Sequence, residues 1–361
     1  MVAVPSAVRR FMIDFTVHEE KMTNKKFWLG TLIVALVFGM TVIGCNDTTN
    51  EEESLPMGSQ WTMVSNPPFG TGSIYDIAFG ENKFIAVGYF SDGDDSVSKI
   101  AYSEDGINWS LVSNLPSDIH PTVIVYGDGK WVTNDSYSTN GLNWTEATNK
   151  LSINSPKIAY GNKKFVAVGG KNQIAHSTDG QTWETVSNPP SFITDDRPDL
   201  IFGITYGNGK FIAVGGNKIA NSTDGINWTT VSPDLFGNYI HRIAYGGGKF
   251  VASSSYVMAY SLNGIDWMEI IGKEKGSGYS NFHYYKNFNC IAYGNGKWIA
   301  LISSGWIAYS SDGINWTPAF NPPDITFPSG ATYGNGKFVV IGSNYDNSNN
   351  SRIGRIAYSI Q

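Results

Sequence analysis

The sequence predicts an all-β protein: a seven-bladed β-propeller of four-stranded antiparallel blades, closed by an N-terminal strand that completes the last blade. Three observations predict it. A phrase of the form IAYGNGKFIAVG returns seven times, about 34 to 48 residues apart, beginning with IAFGENKFIAVG at Ile77 and ending with ATYGNGKFVVIG at Ala331. A heptad, S-x-[D/N]-G-x-x-W, follows six of these phrases: SEDGINW, STNGLNW, STDGQTW, STDGINW, SLNGIDW and SSDGINW, starting at Ser103, Ser138, Ser177, Ser222, Ser261 and Ser310. Finally, 14% of the 361 residues are aromatic, 40 are Gly and only 16% are charged, a bias against long helices and toward short strands with tight turns. A strand-rich unit of roughly 40–50 residues is the signature of a propeller blade.

Taken in chain order, residues 1–21 are expected to be an extension ahead of a true start at Met22. Residues 22–44 read as a signal peptide: Lys25 and Lys26 precede the uncharged run Phe27–Gly44, which ends at Cys45. Lipidation of Cys45 is the expectation, with a single transmembrane anchor as the alternative. Residues 45–59 are acidic and polar and predict a flexible tether to a propeller spanning 60–361.

Each unit parses into strands a, b, c and d. Strand a is IAYG, strand b FIAVG, strand c KIAYS and strand d WTTV, with Asn-Gly and Asp-Gly turns that favour type I′ hairpins at both the a–b and c–d corners. The chain stops after strand c of the seventh unit. Its missing strand is QWTMVSNPP from Gln60, which matches TWETVSNPP from Thr182, so Trp61–Val64 should pair with Ile356–Ser359. Such closure leaves no open edge between first and last blades.

The heptads invite a catalytic reading and chemistry argues against it. Asp105, Asp179, Asp224 and Asp312 alternate with Asn140 and Asn263 at the third position. Either side chain accepts backbone N–H bonds in a turn, but an amide cannot replace a general acid. Trp109, Trp144, Trp183, Trp228, Trp267 and Trp316 then supply apolar faces for packing between blades. The GNGK turns lack the Walker spacing and lie in hairpins, which excludes a phosphate loop.

The heptad resembles the Asp-box (BNR) repeat of sialidase-like and photosystem II assembly factor-like propellers, here one residue shorter between Asp and Gly, and VIGC resembles a bacterial lipobox. The resemblance covers nearly all of residues 61–361. It implies a propeller scaffold on a lipoprotein of the bacterial cell envelope, facing periplasm or exterior. A sialidase of this kind would need three Arg on the substrate carboxylate. The chain beyond residue 44 has Arg197, Arg242, Arg352 and Arg355, no F/Y-R-I-P motif, and seven units rather than six.

Function is therefore expected on the face carrying the d–a and b–c loops, where the units stop repeating. Ligand-binding candidates there are Asp195, Asp196, Arg197 and Asp199, then Tyr239, His241 and Arg242, then Tyr279, Phe282, His283, Tyr284 and Tyr285. Aromatics beside Asp, Asn and Arg suit a glycan or a protein ligand. The acids of SDGDDS at Ser91–Ser96 invite calcium but lack an EF-hand pattern, so no metal or cofactor is predicted. Cys290 reads as a small buried hydrophobe. Beyond residue 44 the chain carries 20 Lys/Arg and 28 Asp/Glu, with no basic stripe for nucleic acid. The reading is a monomeric, lipid-anchored, non-catalytic binding module, with an envelope assembly scaffold and a sialidase-like glycosidase as alternatives.

Overall fold

The computed structural model describes residues 60–361, apart from 93–94, 193–199, 232, 234, 238, 256, 271–287, 303–304, 320–321, 349 and 360–361, and leaves the side chains of 91–96 undescribed. Cys45 and the segments 1–21, 22–44 and 45–59 lie outside the described residues. Within them stand seven four-stranded antiparallel sheets, six in simple a-b-c-d order. The seventh joins Phe327–Gly334, Lys337–Asp346 and Ser351–Ser359 to the N-terminal strand Trp61–Met63. Trp61 lies opposite Ser359, Thr62 opposite Tyr358 and Met63 opposite Ala357, and Val64 N donates to Ile356 O at 2.8 Å. The propeller is seven-bladed and closed as the repeats predict.

Strand b is the centre of each blade because its residues are apolar on both faces. In Lys210–Gly215 every residue after the lysine is buried. The hydrophobic core is correspondingly divided into seven layers, one between each pair of neighbouring blades. The layer between blades 3 and 4 packs Val166 and Val168 against Phe211 and Ala213, and that between blades 7 and 1 packs Val339 and Ile341 against Phe84 and Ala86. Each such fully buried Val, Ile or Phe contributes roughly 1.5–3 kcal/mol.

The IAYG phrase has a second use beyond forming a strand. Its aromatic ring lies flat over the glycine of the preceding blade's phrase. A Cβ on Gly161 would sit 2.0 Å from the Tyr206 ring, and one on Gly334 would sit 2.2 Å from Phe79. The latter contact joins the last blade to the first. The same rings pack within their own blades, as Tyr206 on Phe211 at 4.8 Å and Phe79 on Phe84 at 4.7 Å between centroids. Only glycine admits so close an approach.

The corners divide into two kinds. At all seven a–b turns both central residues have positive φ, as at Asn208 (45°) and Gly209 (74°), which is the type I′ requirement. The c–d turns correct the expectation. There only the glycine is positive, as at Gly225 (76°). The acid or amide before it stays in the ordinary region because its side chain is used as a cap. Asp224 Oδ1 accepts from Ile226 N and Asn227 N, both at 2.8 Å, while Ser222 Oγ donates to it at 2.9 Å and accepts from Gly225 N at 2.8 Å. Asn140 and Asn263 make the same paired contacts at 2.9 Å. The tryptophan stands just before strand d rather than in it, with Trp228 Nε1 donating to Gly225 O at 3.1 Å.

The lysine of the GNGK turn reaches across to the next blade. Lys164 Nζ donates to Asp224 O at 2.9 Å and Lys249 Nζ to Asp312 O at 2.5 Å. Blade 7 reaches blade 1 through Asn335 Nδ2, which donates to Glu104 O at 2.5 Å. These turns are latches between blades.

A further correction concerns the two long b–c loops. YFSDGDDSVSK and GSNYDNSNNSRIGR are extensions of strands, giving hairpins of Lys83–Asp92 with Asp95–Ser103 and Lys337–Asp346 with Ser351–Ser359. Cross-strand pairs such as Phe90 with Val97 and Tyr345 with Arg352 continue the ladder past the other blades. Their aromatic and β-branched residues favour pairing over a coil.

Candidate functional site

The position just ahead of the repeated phrase changes from blade to blade. The residue immediately before the first position of IAYG reads Asp76, Val123, Lys157, Gly203, Arg242, Cys290 and Gly330 around blades 1 to 7. The ring brings all seven to one level, where they line a cavity of about 190 Å³ together with Asn289 and Ser329. Charged groups stand at every second blade over part of this circle: Asp76 on blade 1, Lys157 on blade 3, Arg242 on blade 5.

Just above this level five of the seven innermost strands carry a β-bulge. The register steps from Ile74 to Asp76, Ile201 to Gly203, Ile240 to Arg242, Phe288 to Cys290 and Pro328 to Gly330. Each step leaves one extra residue: Tyr75, Phe202, His241, Asn289 or Ser329. Bulges re-aim side chains and are common beside active sites. Here they form an uneven collar around the channel mouth on the loop face.

Part of that collar is aromatic. Phe202 meets Tyr239 edge-on at 5.7 Å and His241 at 5.1 Å, and Tyr239 lies 6.1 Å from His241. Burial and then the neighbouring Arg242 hold the His241 imidazole below its usual pKa, so at neutral pH the ring is uncharged. Tyr75, exposed on the rim, stacks on Tyr89 at 5.5 Å. Beside them Arg352 lies over the Phe327 ring at 4.6 Å and Lys99 over Phe90 at 3.9 Å. These last contacts are made by the extended hairpins of blades 1 and 7.

The polar groups of the channel layer differ in how fully they are used. Asp76 is enclosed by protein on every side except the channel. Its Oδ1 accepts from Ile77 N at 3.0 Å and its Oδ2 from Ile124 N at 3.1 Å, so it braces blade 1 against blade 2. Burial raises its pKa, opposed by Lys157, those two N–H groups and Arg242. Ser329 Oγ donates to Ile74 O at 2.6 Å. Burial pushes the Cys290 thiol up to about 11 despite Arg242, which leaves it protonated and a poor nucleophile at neutral pH.

Arg242 donates from Nε to Asn289 O and from Nη1 to His241 O at 2.8 Å. Burial lowers its pKa, countered by Cys290 and Asp76, and a guanidinium stays charged in such a setting. Neither Arg242 Nη2 nor Lys157 Nζ has a hydrogen-bond or ion-pair partner among the described residues.

Of the twelve candidate residues named from the loops, the structure describes three. Tyr239, His241 and Arg242 come together, the first two on the rim and the third in the channel wall. Asp195, Asp196, Arg197, Asp199, Tyr279, Phe282, His283, Tyr284 and Tyr285 lie outside the described residues, as do the side chains of SDGDDS. No group of three metal-ligating side chains occurs among the described residues. Sequence reasoning missed Asp76, Lys157, Asn289 and Ser329. The signal for the first two was present, since the position before IAYG carries six residue types in seven units.

A second cavity, of about 370 Å³, lies on the outer rim between Leu111 of blade 1 and the heptad of blade 2. It is larger than the channel cavity, but among the described residues Tyr102 is its one titratable lining residue.

Comparison with known proteins places this geometry in context. No family model and no curated protein matches the chain. Among solved structures it is similar to YCF48 bound to D1 peptide, at 14% identity with a TM-score of 0.57, covering 86% of this chain and 96% of that one. YCF48 from Cyanidioschyzon merolae gives 16% identity and a TM-score of 0.56, with 82% and 98% covered. A catalytically inactive virginiamycin B lyase from Staphylococcus aureus, with quinupristin, gives 13% identity and a TM-score of 0.62, again with 82% and 98% covered. At these identities the likeness is one of fold, and it sets this chain among the β-propellers.

Proposed function

We propose that the protein is a non-catalytic binding propeller that receives a segment of a protein ligand at the channel mouth on its loop face. The observation that carries this reading is the collar, where five of the seven innermost strands bulge, residue types differ from blade to blade, and aromatic rings stand beside cationic donors that lack a partner among the described residues. Aromatic anchors with a few directed polar groups are the usual makeup of a recognition site. The similarity to YCF48, seen in complex with the D1 peptide, supports a peptide over a glycan.

The glycosidase alternative loses ground on the same residues. Paired carboxylates facing a substrate are required for that chemistry, whereas among the described residues Asp76 is the single carboxylate lining the channel cavity and both its oxygens are engaged with backbone N–H groups.

The proposal includes anchoring in the cell envelope through Cys45. The strand Trp61–Met63 begins at the heptad end of blade 7 and runs toward the loop face.

A random peptide display library panned on the protein tests the reading, with a glycan array run in parallel. Enriched peptides that lose binding on Phe202→Ala or Tyr239→Ala are the expected result. Enrichment indifferent to both substitutions, or binding to glycans alone, overturns it.

A further inference from the structure

We propose that the channel layer is a carboxylate site, in which Lys157 and Arg242 hold one acidic group of the ligand. This deepens the peptide reading given above and names the chemistry that anchors the segment. Asp76 carries at most one negative charge against the two positive charges of Lys157 and Arg242, so the layer has a net charge of at least +1. The carboxylate does not answer either cation directly: its oxygens accept from Ile77 N and Ile124 N.

A cation inside a protein is costly unless it is paired or hydrogen-bonded. Arg242 is held in place by two backbone carbonyls, Asn289 O and His241 O, contributed by blades 6 and 5. Those contacts fix the plane of the guanidinium and leave Nη2 without a partner among the described residues. The fixed Nη2 is then placed to donate a charge-assisted hydrogen bond to one oxygen of a carboxylate. Lys157 Nζ, also without a described partner, supplies a second donor from the wall two blades away in the ring.

Size and surroundings select the ligand class. A cavity of about 190 Å³ admits a carboxylate with a short stem and excludes a folded partner. Phe202, Tyr239 and His241 stand at the mouth to cover the apolar stem. With Asp76 ionised the described side chains leave a net charge of +1, which a monoanion balances and a phosphate dianion exceeds. The acidic group is therefore an Asp or Glu side chain, or the C-terminal carboxylate, of a peptide entering through the collar.

The probe is acetate. Saturation-transfer NMR on the protein should show transfer to the acetate methyl, at constant ionic strength set with chloride. Lys157→Met should weaken apparent acetate affinity about tenfold, the size expected for losing one charge-assisted contact. Lys157→Arg should retain affinity, which separates lost charge from lost folding. Absent transfer to acetate, or equal transfer to native protein and Lys157→Met, overturns the site.

Peptides from the display experiment, made with free or amidated C-termini and with Glu→Gln changes, then identify the source of the carboxylate. Peptide binding indifferent to all these changes and to Lys157→Met overturns the carboxylate site while leaving the peptide reading intact. Acetate binding without any peptide ligand overturns the peptide reading while leaving the site.

Discussion

The two ends of this ring are built from the same seven units by opposite rules. At the heptad end six of the seven blades repeat one another: a serine and an Asp or Asn cap the c–d turn and a glycine turns it, and in blades 3 to 6 a lysine from the preceding blade grips its carbonyl. At the loop end the equivalent positions are Asp76, Val123, Lys157, Gly203, Arg242, Cys290 and Gly330, and five of the seven strands bulge. Repetition marks a contact that every blade needs in order to stack. Its absence marks a place where the stack is already secure and the residue is free to meet something else. The comparison predicts that substitutions at the heptad end and in the blade interfaces change stability, while substitutions in the collar change binding.

The largest effect is expected from removing the closing strand. Deleting Trp61–Val64 strips strand d from blade 7 and takes Trp61 and Val64 from two core layers. The melting temperature should fall by more than for any single substitution, read by calorimetry, with the C-terminal blade losing amide protection first. Unchanged unfolding would remove ring closure from the account.

Next in size is Gly161→Ala, which places a methyl 2.0 Å from the Tyr206 ring. Overpacking of this kind costs about 1–3 kcal/mol, measured as a shift of the urea midpoint. The same substitution at Gly209, where a Cβ meets nothing within 4 Å but φ is 74°, should cost roughly 1 kcal/mol from backbone strain alone. Equal losses at both sites would refute the ring-on-glycine contact.

A smaller effect separates turn cap from acid chemistry. Asp224→Ala removes an acceptor used by Ile226 N and Asn227 N and should cost about 1 kcal/mol, whereas Asp224→Asn should restore most of the loss, as Asn140 and Asn263 already show in place. The acid dependence has a definite sign. For Asp105 burial raises the pKa, but hydrogen bonds from Asn108, Ile107 and Ser103 outweigh it and hold the carboxylate down at about 2; Asp179, Asp224 and Asp312 are lowered by the same kind of contacts. Groups depressed in the fold contribute stability above the unfolded pKa of about 4 and lose it as pH falls through the folded value. Stability should therefore decline from about pH 4 downward, and less steeply in a variant with Asn at all four positions.

The smallest stability effect belongs to the collar. Lys157→Met should leave the urea midpoint within roughly 0.5 kcal/mol of native while altering ligand binding. A large destabilisation would make the channel layer another structural latch and erase the contrast between the two ends.

How much of this was legible beforehand follows from the range of the interactions. The heptad caps join residues within three positions of one another, so Ser222, Asp224, Gly225 and Trp228 announce their turn wherever they occur. Their conformation was less legible: Asp-Gly suggested a type I′ corner, and the cap from Asp224 Oδ1 kept the acid out of positive φ. The b–c segments YFSDGDDSVSK and GSNYDNSNNSRIGR read as loops because their polar residues mask a ladder that only the partner strand reveals. Tyr239, His241 and Arg242 stand out because they fall in a distinctive stretch that reads as a loop, although His241 and Arg242 lie in strand Ile240–Gly246, whereas Lys157 does not, because a lysine opening a strand is ordinary by itself.

The sequence by itself determined the number of blades, the strand order, the closing strand and the structural use of the heptads, since each depends on local turn chemistry or on a repeated pattern. Tertiary structure decided the site. Asp76, Lys157 and Arg242 follow one another at intervals of 81 and 85 residues in sequence and become members of one layer only when seven blades close into a circle. The bulges that raise Tyr75, Phe202 and His241 depend on register with the neighbouring strand. Charge, cavity and collar are properties of that closed ring, and no single unit contains them.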